Sequence, residues 1–151
     1  MSRLSLKDLE ARVGHEVGIS PWLEMTQDRI NAFAESTEDR QWIHVNEKRA
    51  RKSPLKSTVA HGNLLVSLLA HFNLENEIFQ QKFRMAINYG LDRVRFLHPV
   101  RPGDRIRSRT VLKDIEKRGL RKVLVTVENT LEIEGVDKPA MVAEVLALIY
   151  L

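Results

Sequence analysis

His61-Gly62-Asn63-Leu64-Leu65-Val66-Ser67-Leu68-Leu69-Ala70-His71-Phe72 decides how the rest of this chain is read. At 3.6 residues per turn its apolar side chains run almost all the way round the axis, and a helix of that kind must be wrapped, not merely laid on a surface. The wrapping lies downstream. Met85–Tyr89, Leu91–Phe96, Arg105–Leu112, Val123–Ile133 and Ala140–Tyr150 read as strands, being rich in β-branched and aliphatic residues. In the fourth of these, Val123, Val125, Val127, Leu131 and Ile133 share one face with Asn129 as the polar exception, while Thr126, Glu128, Thr130 and Glu132 take the other. Turn signals at Pro99, Pro102-Gly103, Gly119 and Gly135-Val136-Asp137 separate the runs at spacings suited to antiparallel neighbours. The expected class is α+β, a curled antiparallel β-sheet wrapped around a long buried central helix.

Upstream of that helix the pattern is less regular. Thr26 is an N-cap candidate for a short amphipathic helix over residues 26–34, with Ile30, Phe33 and Ala34 on one face. Residues 36–44 turn from polar to aromatic with no period of 2 or 3.6, which predicts an ordered loop. Glu47 to Lys52 has room for one further helical turn before Ser53-Pro54 ends it. With 151 residues and no repeat or Gly/Ser linker, the expectation is a single domain over residues 1–151. The absence of Cys excludes a disulfide framework, a thiolate nucleophile and a zinc ribbon. The first residues lack the apolar core of a signal peptide, and no stretch approaches the ~20 apolar residues that span a bilayer. The expectation is a cytoplasmic protein without a membrane partner.

The net charge of +4 is unevenly spread: residues 82–122 hold 13 Lys and Arg against 4 Asp and Glu, while the flanking segments are acidic. Such a segment suits a polyanion or simply a solvated strand face. Nucleic acid is disfavoured because aromatic residues are 6% of the chain and are not interleaved with the basic strands as a stacking platform requires.

Two features carry chemistry. Asp39 and His44 are five residues apart, a separation that splays side chains on a helix and puts them on opposite faces of a strand, so only a bent loop brings both to one point. A carboxylate and an imidazole that converge can hold a water and exchange protons with it; the plain alternative is an Asx-turn beside a half-buried His. Ala60-His61-Gly62 stands where the buried helix begins, and the first N–H groups of a helix lack internal partners. Gly62 there either admits a ligand carbonyl, as in an oxyanion hole, or permits tight packing of helix on sheet. His61 reads as a structural hydrogen-bonding residue. Trp22, Trp42, Phe72 and Phe79 read as core.

Taken together, Phe33-Ala34-x-Ser36-Thr37-x-Asp39-x-Gln41-Trp42-Ile43-His44-Val45-Asn46, Ala50, Thr58-Val59-Ala60-His61-Gly62, and Ile87-Asn88-Tyr89-Gly90-Leu91-Asp92-Arg93-Val94-Arg95-Phe96 with Pro99-Val100 resemble the MaoC-like dehydratase group. That group includes (R)-specific enoyl-CoA hydratases and a nodulation protein N-like branch. The resemblance spans about residues 20–150 and implies a hot-dog fold. It also implies a homodimer with acyl-CoA at or near the subunit interface; a curled sheet with an edge to be paired points the same way.

By that resemblance Asp39 and His44 are the catalytic pair that activates water for syn addition to a trans-2-enoyl thioester, giving an (R)-3-hydroxyacyl thioester. The Gly62 N–H binds the thioester carbonyl. No metal or redox cofactor is implied, since coenzyme A enters as part of the substrate, and its phosphates are a candidate partner for the basic segment. The sequence departs from the hydratase signature at Glu38, where Gly or a small residue is usual, and at Gln41-Trp42, where Asn-Pro is usual. The Gln-Trp-Ile-His form is similar to the nodulation protein N-like branch. Two alternatives share the fold: an acyl-CoA thioesterase, and a non-catalytic acyl-thioester-binding module.

Overall fold

The computed structural model describes residues 5–151. In chain order the elements are α1 (Leu6–Glu10), β1 (Glu16–Ile19), β2 (Leu23–Glu24), α2 (Gln27–Thr37), α3 (Trp42–Val45), α4 (Glu47–Arg51), α5 (Gly62–Asn73), β3 (Met85–Phe96), β4 (Arg105–Lys117), β5 (Lys122–Ile133) and β6 (Val136–Tyr150). The strands form one antiparallel sheet in the order β1-β4-β5-β6-β3, with β2 also paired to β4. Strands β4, β5 and β6 follow one another as hairpins. Strand β3, which precedes them in sequence, lies outside β6 and forms an edge.

The five expected strand runs become four strands. Gly90 does not break the chain: Met85–Tyr89 and Leu91–Phe96 join into β3, and register shifts between Asn88 and Gly90 and between Leu91 and Arg93 absorb the irregularity as bulges. On β5, Val123, Val125, Val127, Leu131 and Ile133 are buried, as their alternation predicts, and Asn129 is buried among them. Helix α5 buries Leu64, Leu65, Leu69 and Phe72 against the inner face of the sheet. Its flank of Asn63, Ser67, Ala70 and His71 stays exposed in the protomer.

The apolar interior is divided in two. One cluster gathers Leu64, Leu65, Leu69 and Phe72 of α5 with Ile106, Leu131 and Met141; the other gathers Leu9, Val17 and Ile78 with Leu112, Val123, Val125 and Val127. Along β4 and β5 the positions between the clusters are Ser108, Thr110 and Asn129, all buried. The Asn129 amide donates to Asn73 Oδ1 (2.7 Å), Ser108 Oγ (2.9 Å) and Thr110 Oγ1 (3.0 Å). Partners of this kind let a polar group sit in the core without the cost of an unmet hydrogen bond. The knot anchors the C-terminal end of α5 to the sheet.

Upstream, α2 starts where Thr26 predicts: its Oγ1 accepts from Arg29 N at 3.1 Å. The helix runs three residues beyond the expected Ala34, and the predicted loop over 36–44 is corrected accordingly. Ser36 and Thr37 stay helical because each hydroxyl donates to the Phe33 carbonyl, at 3.1 and 2.7 Å, instead of competing for the backbone elsewhere. Trp42–Val45 then forms the single turn α3. The turn expected over Glu47–Lys52 is α4, capped by Asn46, whose Oδ1 accepts from Arg49 N at 3.0 Å.

Of the four aromatics read as core, only Phe72 is fully buried. Phe79 is half-buried. Trp22 and Trp42 are half-buried beneath guanidinium groups, Arg107 over Trp22 at 4.4 Å and Arg49 over Trp42 at 4.3 Å. Among the described residues no helix is long and apolar enough to cross a membrane.

Candidate functional site

Three chain segments converge at the N-terminal end of α5. The first is the exit from α2. Glu38 takes a left-handed conformation (φ 63°) that stops the helix and turns the chain, so that Asp39 doubles back; Gln41 N donates to Asp39 Oδ1 at 3.4 Å. A left-handed residue with a Cβ costs roughly 1–2 kcal/mol, which explains why a Gly at this position suits such a turn. The Glu38 carboxylate itself is exposed.

The second segment is α3. Its His44 is 6% exposed and is fixed at both ends. The ring Nδ1 lies 2.7 Å from the Val59 carbonyl, and the backbone carbonyl of His44 accepts from Gln27 Nε2 at 2.8 Å. Gln27 also accepts from the Thr58 hydroxyl, so one amide ties α2, α3 and the residues before α5 together. Because a carbonyl only accepts, the hydrogen of a neutral His44 is assigned to Nδ1, which leaves the Nε2 lone pair free.

The third segment is the start of α5. His61 occupies the N-cap position, but its side chain makes no cap hydrogen bond. Its ring Nε2 instead donates to the Asp39 carbonyl at 2.9 Å. Its ring stacks on that of His44, with centroids 3.8 Å apart and planes 21° from parallel, and Phe33 closes the other side at 4.9 Å. One ligating atom from each of Asp39, His44 and His61 falls within 4.8 Å of the others.

Burial pushes His44 below the ordinary imidazole value, the Val59 hydrogen bond works against that shift, His61 adds to it and the Asp39 charge opposes it. The imidazole is thus kept neutral at pH values where a free histidine begins to charge. A neutral Nε2 beside a carboxylate is an arrangement that takes a proton from water.

The same three residues do not fit a metal ion. An ion must lie in the plane of each ligating ring at about 2.1 Å from the nitrogen. Two rings stacked at 3.8 Å and 21° put their lone pairs in nearly parallel, offset planes, and no single position satisfies both.

Of the predicted site residues, the structure brings Asp39 and His44 together and places Gly62 one residue beyond the His61 that touches both. Gly62 opens α5, and its N–H has no acceptor among the described residues. The closeness that glycine permits is used by Phe96: a Cβ at position 62 would lie 2.8 Å from Cζ of the Phe96 ring. Packing of helix on sheet therefore accounts for the glycine within the protomer, and the free N–H points to the binding use as well.

His61 is the structural hydrogen-bonding residue that its sequence position suggests, and its place in the cluster with Asp39 and His44 is what sequence reasoning did not give. Its signal is the helix N-cap, where Ser, Thr, Asp or Asn would serve the helix better. The basic segment is neutralised only in part, mostly on β4: Arg105 pairs with Glu134 (3.0 Å), Arg107 with Glu132 (2.7 Å), and Arg109 with Glu16 (2.6 Å) and Glu132 (3.2 Å). Beyond Gly62, the stripe of Val66, Ala70 and Asn73 on α5 faces β3 across a cavity of about 500 Å³, closed by Phe79, Phe83 and Ala147.

These features can be set beside known proteins. The chain is 43% identical over 150 residues to nodulation protein N of Rhizobium leguminosarum bv. viciae, covering 99% of this chain and 93% of the relative. It is 44% identical over 141 residues to 3-hydroxyacyl-thioester dehydratase Z of Mycobacterium tuberculosis, covering 93% and 92%. The MaoC-like dehydratase from Rhodospirillum rubrum superposes with a TM-score of 0.78 at 22% identity, covering 97% of both chains, and the sheet curled about α5 is the hot-dog fold. The model of the MaoC like domain matches residues 8–134, a span that takes in Asp39, His44 and Gly62 together with three of the four long strands, and on this basis the chain belongs to the MaoC-like dehydratase family.

Proposed function

We propose that this chain is an (R)-specific enoyl-CoA hydratase, acting reversibly as a 3-hydroxyacyl-CoA dehydratase. The family and the relative named as a 3-hydroxyacyl-thioester dehydratase support hydratase and dehydratase chemistry on thioesters. The observation that carries the reading is that a carboxylate oxygen of Asp39 and a ring nitrogen of His44, an imidazole whose Nδ1 is held by the Val59 carbonyl, lie within 4.8 Å of each other beside the N-terminal end of α5. A water between those two groups passes one proton to Nε2 while its oxygen adds to C3 of the enoyl thioester. The negative charge that develops on the thioester oxygen is met by the Gly62 N–H, where the helix dipole also favours an anion. The proton held on His44 Nε2 is then delivered to C2 on the same face, which restores the neutral imidazole and completes syn addition of one water.

The cavity along α5 takes the acyl tail: Val66 lies one turn on from Gly62, on the same helix face, and the lining there is apolar. The active unit is a homodimer paired through β3. This strand bonds to β6 on one side only, and Met85, Ile87, Tyr89, Leu91 and Phe96 are all exposed along it.

The test is hydration of crotonyl-CoA, followed by loss of the enoyl absorbance with chiral analysis of the product. Wild type makes (R)-3-hydroxybutyryl-CoA, and Asp39→Ala and His44→Ala, each folded by circular dichroism, lose about 10²-fold or more. If crotonyl-CoA is not turned over, longer trans-2-enoyl esters are tried. Release of free CoA without hydration identifies a thioesterase, and silence in both assays identifies a binding module.

A further inference from the structure

We propose that His61 is a positioning residue of this site: its Nε2–H holds the Asp39 main chain in place, and its ring, stacked on that of His44, holds the His44 imidazole in place beside the carboxylate. The inference rests on the hydratase reading for its consequence in catalysis, but not for its geometry.

Three observations carry it. First, its side chain does nothing for its own helix. It sits at the N-cap of α5 without a capping hydrogen bond, in a position where Ser or Asp would satisfy an orphan donor. Its side chain is 2% exposed and is turned instead toward a residue 22 positions earlier, the Asp39 carbonyl at 2.9 Å. That bond secures a turn strained at the left-handed Glu38, so the carboxylate does not rely on its own loop for its position.

Second, with Nε2 donating to a carbonyl, the lone pair of a neutral His61 is on Nδ1, and Nδ1 is buried without a partner. A fold that needed only an aromatic filler between Phe33 and His44 would use phenylalanine and leave no unmet polar atom.

Third, the ring stack makes two simultaneous imidazolium charges unfavourable at a centroid distance of 3.8 Å. The titratable groups whose charge acts on His44 are Asp39 from the link after α2 and His61 from the start of α5. The other neighbours, the Gln27 amide and the Val59 carbonyl, do not titrate. Asp39 favours the charged imidazole and His61 opposes it, so His61 offsets the pull of the carboxylate and helps keep the base unprotonated.

The experiment compares His61→Gln and His61→Ala with wild type. Glutamine can donate to the Asp39 carbonyl but neither stacks nor charges. His61→Ala is expected to lose about 10²-fold in kcat, as for a misplaced catalytic group, and His61→Gln to recover part of that loss through the restored donor. In His61→Gln the acid limb of kcat/KM moves to higher pH, because burial still lowers the His44 value but the contribution His61 adds to it is gone. An imidazole NMR titration of His44, assigned with a His44→Gln sample, reads the same shift without substrate. It therefore tests the proposal even if the protein hydrates no enoyl thioester. A His44 titration in His61→Gln that superposes on wild type overturns the stacking role. Equal activity loss in the two folded variants overturns the tether.

Discussion

His44 ties the chemistry of the site to the stability of the molecule. In the unfolded chain its imidazole titrates near 6.5, and in the folded protein burial lowers that value. Below about pH 6.5 the unfolded state therefore binds more protons than the folded one, and stability falls as the pH falls through that window toward the folded value. Thermal unfolding is expected to show a lower midpoint at pH 5.5 than at pH 7.5, with a smaller difference in His44→Gln. An identical pH dependence in the two proteins would mean that His44 is not held neutral. At Gly62 the balance is different. A methyl group there meets the far end of the Phe96 ring, and that residue is 52% exposed, so the ring can swing outward. Gly62→Ala is expected to cost about 1 kcal/mol or less, since better helix propensity offsets the displaced ring. By the role proposed for its N–H, the hydration rate is expected to fall much further, because the methyl and the displaced ring crowd the approach to that group. Rate and thermal midpoint measured on the same sample separate the two effects.

At the scale of elements, β5 shows a period of two that burial follows from Val125 to Ile133, with Leu124 buried on the opposite face, and one polar residue that the period does not explain. Asn129 breaks the apolar face because two clusters meet there and α5 must be fastened where they meet. Its amide hydrogens serve acceptors on α5 and β4, a role that needs all three elements in place. Asn129→Ala takes the donor from Ser108 Oγ and Thr110 Oγ1 and the acceptor from Asn73 Nδ2, in residues each fully buried or nearly so. The expected loss is about 3 kcal/mol, within the range for leaving buried polar groups unmet, and urea unfolding measures it. A loss under about 1 kcal/mol would show that water replaces the amide. By contrast the ion pairs of Arg105, Arg107 and Arg109 lie on the outer face, partly exposed, and pairs of that kind contribute about 0–1 kcal/mol each. They order the basic strand without holding the sheet together.

For the whole molecule, the feature that most needs a partner is β3. Eleven of its twelve residues are exposed in the protomer, and its outer edge of N–H and C=O groups is unpaired among the described residues. An exposed apolar edge strand of that length is a template for association. The proposed dimer predicts a sedimentation coefficient of two chains at micromolar concentration for wild type. Leu91→Arg, which puts a charge in the middle of the edge, is expected to sediment as one chain and to lose hydration activity with it. A wild-type monomer would rule out pairing through β3. An active monomeric variant would show that the site is complete within one chain.

The sequence alone determined the class of fold. An all-round apolar helix followed by alternating strands has few ways to bury itself, and periodicity is a local property that a reader can count. It also placed Asp39, His44 and Gly62 as candidates, because their spacing and the motifs around them are local too. The tertiary structure decided what no spacing encodes. It joined two strand runs across Gly90, since bulges tolerate an irregularity that interrupts the pattern. It extended α2 through Ser36 and Thr37 by turning their hydroxyls back on Phe33. Above all, it laid His61 against both Asp39 and His44. That contact crosses 22 residues in one direction and 17 in the other. It exists only because the left-handed turn at Glu38 folds the chain back onto the start of α5, and such a contact is set by packing rather than by any sequence pattern.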